Sequence, residues 1–518
     1  MSGRKSRQAT SRQRANRFVL AVLVLVALAG LYGLAGVKRA ALLTGGATAV
    51  PVGRLTVTSA LVACPAPGTA GLTGGGIAQA SAPASVGAGT LTLTALNAAA
   101  GARSPVAVST SPRPGQLRVR AVRSAPAVPK KLATMHAMAN GLVPTSHARG
   151  GLIIAATGSD AQGFDAEQLS PGGLPSARCQ APGSDFWFIT PETTKTRTEL
   201  YLINADGTQA DAHVGVQSDT GPRLGTGQDS GILVPPHSMV VQSLDKLVRS
   251  AKAAAFHVTT STGRVIAAIR MSGKAGKAGA WLPVAAEPAT TQVLTGLPAT
   301  TGTRELYVTV PGDAAAKIKV TAVTPRGSYQ PTGASGVTVL SRTTTGISIA
   351  SLSGKPGSIK ISASAPFTAV LELSGGPPGA PGAFISGAGP VSEQGVIAAS
   401  PVGSAGKSQL VLSAPGGAAS VKISEAIAGV PLTGQAGHVV KIGARSATKV
   451  KIGLPRQASR KVKLVAILVT PLPGSGPVYA ARLAIVSGSL QTVLPVVSSP
   501  TVIKLPVVRQ SLAGTLGS

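Results

Sequence analysis

Three acidic residues, Asp160, Asp165 and Glu167, lie in one short glycine-containing segment, GSDAQGFDAEQ. Clustered carboxylate oxygens are the ligands that calcium prefers, and a carboxylate pair can also serve glycoside hydrolysis. The spacing does not match an EF-hand loop, and no second carboxylate pair occurs in a comparable loop. We interpret the segment as an ordinary turn, with cation binding and catalysis as alternatives, and take the three residues as candidate ligand contacts.

Trp187 stands between Phe186 and Phe188 in a chain whose aromatic content is only 3%. An aromatic face can form a platform for a sugar, but an aromatic cluster inside an apolar strand is more often part of a core. We therefore predict a core position for Trp187 and keep ligand contact as the alternative.

The chain has two cysteines, Cys64 and Cys179. In an oxidising compartment such a pair usually forms one disulfide, whereas a metal site needs more ligands. We predict a Cys64–Cys179 disulfide that ties residues 55–180 into one unit.

Other motifs that could do chemistry are dispersed or incomplete. The six histidines are scattered, and neither HExxH, CxxC nor GxSxG occurs. The segment from Gly403 to Ser408 imitates the end of a P-loop, but Pro401 stands where a glycine is needed and an apolar strand pattern follows instead of a helix. We interpret it as a hairpin loop, assign no catalytic, cofactor-binding or metal-binding residue, and predict a protein that is not an enzyme and has no cofactor.

An uncharged apolar run from Phe18 to Val37 follows a strongly basic tail. At 1.5 Å per residue this helix would span about 30 Å, the thickness of a bilayer's hydrocarbon core. Because basic flanks stay in the cytoplasm, we predict a single-pass membrane protein with residues 38–518 outside the cell membrane. A cleaved signal peptide is the alternative, but its apolar region usually has about 7–15 residues and ends at a small-residue site, whereas Lys38 and Arg39 follow here at once.

The net charge of +31 is unevenly distributed, since no acidic residue precedes Asp160 or follows Glu425. Nucleic acid is the first partner that such charge suggests, but aromatic residues are scarce and no nucleic-acid-binding motif is present, so we exclude it. Many basic residues alternate with apolar ones, as in residues 461–464 (KVKL), which is typical of solvent-exposed strand faces. Binding of anionic envelope polymers or lipids is the alternative interpretation.

Self-comparison of the chain shows a repeat, in which Glu199, Glu305 and Gln409 open equivalent strands at spacings of 106 and 104 residues. Each repeat contains about seven or eight short alternating strands, the size and strand number of an immunoglobulin-like β-sandwich. We predict a mainly β protein with an N-terminal transmembrane helix and tandem sandwiches of this type, with successive strands paired as hairpins. A β-propeller with two blades per repeat is the alternative.

These patterns divide the chain into seven parts. They are the cytoplasmic tail (1–17), transmembrane helix (18–37), linker (38–54), divergent N-terminal β domain (55–180), and three sandwich repeats (181–278, 279–381, and 382–518 with additional C-terminal strands).

Several short motifs occur in a characteristic order: SALVACPAPG at 59–68, ATGSDAQGFDAEQ at 156–168, CQAPG from Cys179 followed by FWF at 186–188, and WLP from Trp281. In this order the chain resembles the actinobacterial domain-of-unknown-function family five-seven-one-nine over nearly its whole length. The resemblance implies a membrane-anchored exported protein without an established activity. We therefore expect a structural or protein-interaction scaffold in an actinobacterial cell envelope that contacts other envelope proteins. An adhesion or binding ectodomain for anionic envelope glycans is the second hypothesis, and an exported hydrolase is the third.

Overall fold

The computed structural model describes residues 22–29, 54–65, 90–96, 106–108, 120–122, 151–170, 174–191, 196–223, 231–273, 279–299, 302–334, 336–350, 352, 354–374, 383–426, 437–454, 462–486, 488–499 and 502–504. The chain forms two units, Thr56–Ile503 on the one hand and Met1–Leu55 with Lys504–Ser518 on the other. Described residues 22–29 of the second unit are helical and exposed. No helix among the described residues is long and apolar enough to cross a membrane. The rest of the expected span 18–37, the tail 1–17 and most of the linker 38–54 lie outside these residues.

The N-terminal module consists of two small sheets. One has the order β2-β6-β3-β5 and the other the order β4-β7-β8. The strands, with the boundary strand β1 included, are β1 (Arg54–Thr56), β2 (Ser59–Cys64), β3 (Thr90–Leu96), β4 (Val106–Val108), β5 (Arg120–Val122), β6 (Leu152–Thr157), β7 (Ala166–Ser170) and β8 (Leu174–Arg178). A short 3-10 helix, Gly158–Ala161, connects β6 to β7.

The first repeat module has one sheet of order β12-β11-β15-β9, which β13 extends at β11, and a second of order β14-β10-β16-β17. A single hydrophobic core with residues from both sheets includes Phe188, Leu202, Phe256 and Ile269. Its strands are β9 (Asp185–Thr190), β10 (Thr196–Asn204), β11 (Ala210–Ser218), β12 (Gly221–Arg223), β13 (Ile232–Val234), β14 (Ser238–Ser243), β15 (Ala254–Thr262), β16 (Ile266–Gly273) and β17 (Gly279–Leu282).

The second repeat module follows the same plan, except that one 18-residue strand, β24, contributes its first half to one sheet and its second half to the other. Its strands are β18 (Ala289–Leu297), β19 (Thr303–Val310), β20 (Ala316–Thr324), β21 (Gly327–Tyr329), β22 (Val337–Val339), β23 (Thr343–Ser348), β24 (Gly357–Ser374) and β25 (Ala383–Ser386). Strand β20 shows why the sequence folds this way: Ile318 and Val320 are buried while Lys317 and Lys319 are exposed, so one face enters the core.

The third repeat module has sheets of order β29-β28-β31-β26-β34 and β30-β27-β32-β33. Its strands are β26 (Gly395–Pro401), β27 (Lys407–Ala414), β28 (Ala419–Ala426), β29 (His438–Ile442), β30 (Ser446–Ile452), β31 (Leu464–Pro471), β32 (Tyr479–Val486), β33 (Ser489–Pro495) and β34 (Val497–Ser498); the boundary strand β35 (Val502–Lys504) follows them. The 3-10 helix Gly403–Ala405 occupies the segment that imitates a P-loop and leads into β27, as the strand pattern predicts.

The three repeats share one strand order, and it corrects the predicted hairpins. Strands β10 and β11, β15 and β16, and their equivalents follow each other in the chain but belong to opposite sheets. The chain therefore crosses from one sheet to the other at each such connection, and in the second repeat it crosses within β24. The alternating pattern is the same in a hairpin and in such a crossing, because both bury one face of each strand.

The sheet order also differs from both fold types expected from the sequence. In an immunoglobulin sandwich the second strand pairs with the first and fifth, whereas β10 pairs with the fourth and sixth long strands of its module, β14 and β16. The four-stranded sheets are likewise not blades of consecutive strands. What the structure shows is a mainly β protein in which pairs of sheets enclose shared cores.

Neighbouring repeats pack directly against each other. The core of the first repeat includes Tyr307 and Phe384 of the second. The core of the second includes Val411 and Leu483 of the third. The segment opening at Gly279, expected to begin the second repeat, instead adds β17 to the first by pairing with β16.

Candidate functional site

The predicted acidic segment leads into β7, the central strand of a three-stranded sheet in the N-terminal module. Asp165 directly precedes this strand and Glu167 lies within it, and both residues are buried. Asp160 lies in the 3-10 helix before them, and its side chain is outside the described part of the structure. Two of the three acidic candidates are therefore buried, and ligand contact by these residues stays a prediction.

Asp165 is held by an arginine of the neighbouring strand. Arg178, at the end of β8, donates from Nε to Oδ1 at 2.8 Å and from Nη2 to Oδ2 at 3.3 Å. The backbone amide of Ala398, on β26 of the third repeat, donates to Oδ2 at 2.9 Å. Arg178 also donates to the carbonyl oxygens of Val396 and Pro495, at 3.0 and 2.7 Å. The pair thus bridges the N-terminal module and the third repeat.

Glu167, which is fully buried, also links the N-terminal module to the third repeat. Its Oε1 accepts from the amide of Ala399 at 3.1 Å, and its Oε2 accepts from Nη1 of Arg482, on β32, at 3.2 Å. Arg482 also donates to the carbonyl oxygen of Ala399, and to Thr492 Oγ1 at 3.1 Å. We call Asp165, Glu167, Arg178 and Arg482 the clasp.

The clasp joins two acidic and two basic side chains, of which Asp165, Glu167 and Arg482 are buried and Arg178 is partly buried. Burial raises the pKa of Glu167 to about 6, and it lowers the pKa of Arg482, because each charge loses its hydration. Mutual pairing and the amide hydrogen bonds offset only part of this penalty for Glu167, since its pKa stays raised. A calcium ion or a glycoside at these carboxylates would have to displace the arginines. Among the described residues, no three His, Cys, Asp or Glu side chains are grouped so as to hold a metal ion.

The opposite face of β7 contacts the first repeat. Successive side chains of a strand point to opposite sides, so Gln168 faces away from Glu167. With its amide oxygen oriented toward the indole, Gln168 accepts a hydrogen bond from Trp281 Nε1 of β17 at 3.0 Å. Ala63 and Ile153 of the same module join a hydrophobic cluster with Tyr201 and Ile203 of the first repeat. Strand β7 therefore lies between the first and third repeats and contacts both of them.

The predicted disulfide is confirmed: Cys64 and Cys179 are bonded across a sequence separation of 115 residues. Cys64 ends β2, and Cys179 directly follows Arg178 of the clasp. Beside the bond, Ala63 and Gln180 exchange backbone hydrogen bonds of 2.8 and 3.0 Å. The disulfide thus links the two sheets of the N-terminal module next to the clasp.

Trp187 is buried in β9, the core position that the sequence favours. Its indole stacks on the imidazole of His257, with ring centroids 3.9 Å apart. His257 Nε2 lies 3.0 Å from Asp185 Oδ2. Trp187 belongs to the cluster that includes Tyr307 and Phe384 of the second repeat. Trp187 is therefore a buried member of a cluster that extends from the first repeat into the second.

A different region of the surface holds an open site. A cavity of about 490 Å³ lies on the outer face of the sheet that contains β20, β21 and the first half of β24, and residues of the third repeat close it. We call it the basic groove. Its cations are Lys319, Lys360 and Arg445; its hydroxyl groups come from Thr321, Ser328, Tyr329 and Ser362, and Pro415 forms one wall.

A family model for a family of unknown function (DUF5719) matches residues 132–453 of the chain. The chain belongs to this family. No curated protein and no solved structure matches it. The matched region contains β7, the whole second repeat and all the residues that line the basic groove, whereas Cys64 and Arg482 lie outside it.

The sequence interpretation missed Arg178, Arg482 and the basic groove. Arg482 had a detectable signal, because it stands alone in the otherwise apolar run YAARLAIV, where a buried charge requires a partner. The groove had one as well: no acidic residue lies between Asp313 and Glu372, the stretch that supplies two of its three cations.

Proposed function

We propose that the protein is a non-enzymatic scaffold of an actinobacterial cell envelope, anchored by a single N-terminal membrane span, whose tandem β-sandwich repeats organise or contact other envelope proteins. The tail 1–17 lies in the cytoplasm in this proposal, and residues 38–518 are extracytoplasmic. The apolar run 18–37 and its basic tail support the anchor, because twenty apolar residues match a bilayer and basic flanks stay inside.

The disulfide supports the proposed extracytoplasmic location of residues 38–518. Cys64 and Cys179 are the only cysteines of the chain, and they are bonded to each other and buried. Such bonds persist in oxidising environments and are rare in the cytosol. An extracytoplasmic position agrees with this chemistry.

The observation that carries the scaffold proposal is the position of β7 between two repeats. Glu167 on one face pairs with Arg482 of the third repeat, and Gln168 on the other face bonds Trp281 of the first. The first repeat packs on the second and the second on the third, so the N-terminal module completes a closed set of contacts. A scaffold needs fixed relative positions of its modules, and these contacts supply them.

Two measurements test the proposal. Phosphatase and fluorescent reporters fused after residue 518, with a fusion after residue 12 as the control, are expected to place the carboxyl end outside the membrane. Crosslinking in live cells is then expected to capture envelope proteins. A cytosolic carboxyl-terminal reporter contradicts the anchor, and crosslinks to lipid and wall polymer without any protein contradict the scaffold.

An ectodomain that binds anionic envelope glycans is a second candidate function. The observation that favours it is the outward orientation of lysines on the second repeat, among them Lys317 and Lys319, both exposed. Electrostatic binding of this kind weakens as salt is added. Retention on purified cell-wall polymer that falls at moderate salt supports it, and retention that does not respond to salt contradicts it.

A further inference from the structure

The basic groove combines cations that come from different modules. Lys319 and Lys360 project from neighbouring strands, β20 and β24, of the second repeat. Arg445 lies in the turn before β30 of the third repeat. The two repeats are held together here, since Ser358 and Ser413 share a hydrogen bond of 2.6 Å. The site is therefore built by the packing of two repeats and is not a feature of either one.

Local carboxylates do not neutralise these cations. The chain has no acidic residue between Asp313 and Glu372 and none after Glu425, and these two stretches supply all three groove cations. Within the described part of the chain, none of the three forms an ion pair. Three positive charges that face one polar cavity favour the entry of an anion.

Comparison between repeats shows why Arg445 does not form an ion pair like that of its equivalent in the second repeat. Arg445 and Arg342 are equivalent, because each directly precedes the fourth long strand of its repeat and each has a left-handed backbone, with φ of 53° and 54°. Arg342 is paired with Asp313 at 2.6 Å, in the turn between β19 and β20. The equivalent turn of the third repeat begins with Pro415 and contains no acid. Arg445 consequently lines the groove instead of forming a pair.

The neutral groups of the basic groove indicate which chemical class of anion it can bind. Hydroxyls of Ser328, Ser362 and Tyr329 can donate and accept hydrogen bonds, as sugar and polyol hydroxyls do. A carboxylate has two coplanar oxygens, which one arginine can satisfy, whereas the oxygens of a phosphate ester are arranged tetrahedrally and can face cations on several sides. A volume of about 490 Å³ is within the usual range for small-molecule sites and exceeds the needs of a lone ion.

We propose that the basic groove binds a phosphate ester carried on a polyol or sugar, with Lys319, Lys360 and Arg445 on the phosphate and the groove hydroxyls on the polyol. The proposal deepens the second candidate function, binding of anionic envelope polymers. The same chemistry occurs in a phosphodiester wall polymer and in a phospholipid headgroup, so the test must separate these two sources.

The test measures binding to the full-length protein in neutral detergent by calorimetry. The probes are a short glycerol phosphate oligomer, the same polyol without phosphate, oligogalacturonate, and soluble short-chain phosphatidylglycerol. Binding is expected for the glycerol phosphate oligomer and not for the unphosphorylated polyol. If the oligomer binds more tightly than the short-chain lipid, the source is a polymer, and the reverse order indicates a headgroup. Equal binding of oligogalacturonate, or no binding of any phosphate probe, overturns the proposal.

Matched variants separate the groove from general charge. The triple substitution Lys319→Gln, Lys360→Gln and Arg445→Gln is expected to weaken binding by about tenfold or more, because charge-assisted hydrogen bonds are lost. Lys422→Gln, Lys441→Gln and Lys451→Gln removes the same charge at exposed positions of the third repeat outside the groove. An equal loss in both variants means nonspecific attraction and overturns the proposal. Unchanged melting temperatures establish that both fold, and the reporter fusions test the compartment independently.

Discussion

Glu167 and Arg482 lie 315 residues apart in the chain and form an ion pair of 3.2 Å in which both side chains are buried, at 0% and 1% exposure. Glu167 is on the N-terminal module and Arg482 is on the third repeat module. A buried charge that loses its partner is penalised heavily, since it keeps its desolvation cost without the compensating attraction. This ion pair therefore couples the stability of the N-terminal module to that of the third repeat.

Glu167→Ala is expected to destabilise the protein by about 3–5 kcal/mol, because it removes both oxygens that accept from Arg482 and from the amide of Ala399 and leaves Arg482 buried without its carboxylate. Chemical denaturation with a probe on the third repeat measures the change. Arg264→Met is the matched control: it breaks an exposed pair with Asp206, and a loss below about 1 kcal/mol is expected. Equal losses in the two variants would show that the clasp does not stabilise the fold.

Stability should also depend on pH through Glu167. Its pKa rises from the ordinary 4.5 to about 6 on folding, mainly because of burial and against the attraction of Arg482; Asp165 raises it further and Arg178 lowers it. The folded state thus binds this proton more tightly than the unfolded state does. The contribution of protonated Glu167 to the free energy of unfolding is therefore complete below about pH 4.5 and is lost as the pH rises through 6. The melting temperature of the wild type relative to that of Glu167→Gln should therefore fall as the pH rises across that window. A difference that rises or stays flat contradicts the assignment.

Removal of the disulfide by Cys64→Ser with Cys179→Ser is expected to lower stability by up to about 4–5 kcal/mol, on the chain-entropy model for a loop of this length. Because Cys179 adjoins Arg178, the N-terminal module should also loosen from the third repeat. Hydrogen exchange at Ala398 and Ala399, whose amides bond the clasp acids, measures this coupling. Unchanged protection there would show that the bond and the clasp act independently.

Gly296 lies where the second and third repeats meet. Its φ of 105° is unfavourable for other residues, and a Cβ there would lie 2.5 Å from Val493 Cγ1 and 2.9 Å from the Ala481 side chain. Gly296→Ala is expected to cost about 1–3 kcal/mol through strain and overpacking. Gly389→Ala, at a position with open space around it, serves as the control and should be neutral within about 0.5 kcal/mol. Comparable melting temperatures for the two variants would contradict the close approach.

Much of the local structure could be predicted from the sequence. Alternating residues such as those of β20 and β28 identified strands, because a half-buried strand must be apolar at every second position. The spacing of Glu199, Glu305 and Gln409 identified the repeats, and these residues occupy the equivalent strands β10, β19 and β27. Two cysteines allow one disulfide, so its connectivity followed from the count.

Strand partners could not be predicted in the same way. Alternation records which face of a strand is buried and contains no information on which neighbour accepts its hydrogen bonds. For this reason β10 and β11 were taken as a hairpin although they lie in opposite sheets, and the immunoglobulin order was expected although β10 pairs with β14 and β16.

The chain by itself determined its β content, its repeats, its disulfide and its excess of positive charge, because each depends on residue type and short-range spacing. Only the tertiary structure decided what the charges do. Asp165 and Glu167 meet arginines and amides that are up to 315 residues distant, while Lys319, Lys360 and Arg445 are brought to one cavity without an acid. Coulomb interaction and desolvation depend on distance and burial in space, and neither can be read from positions along a chain.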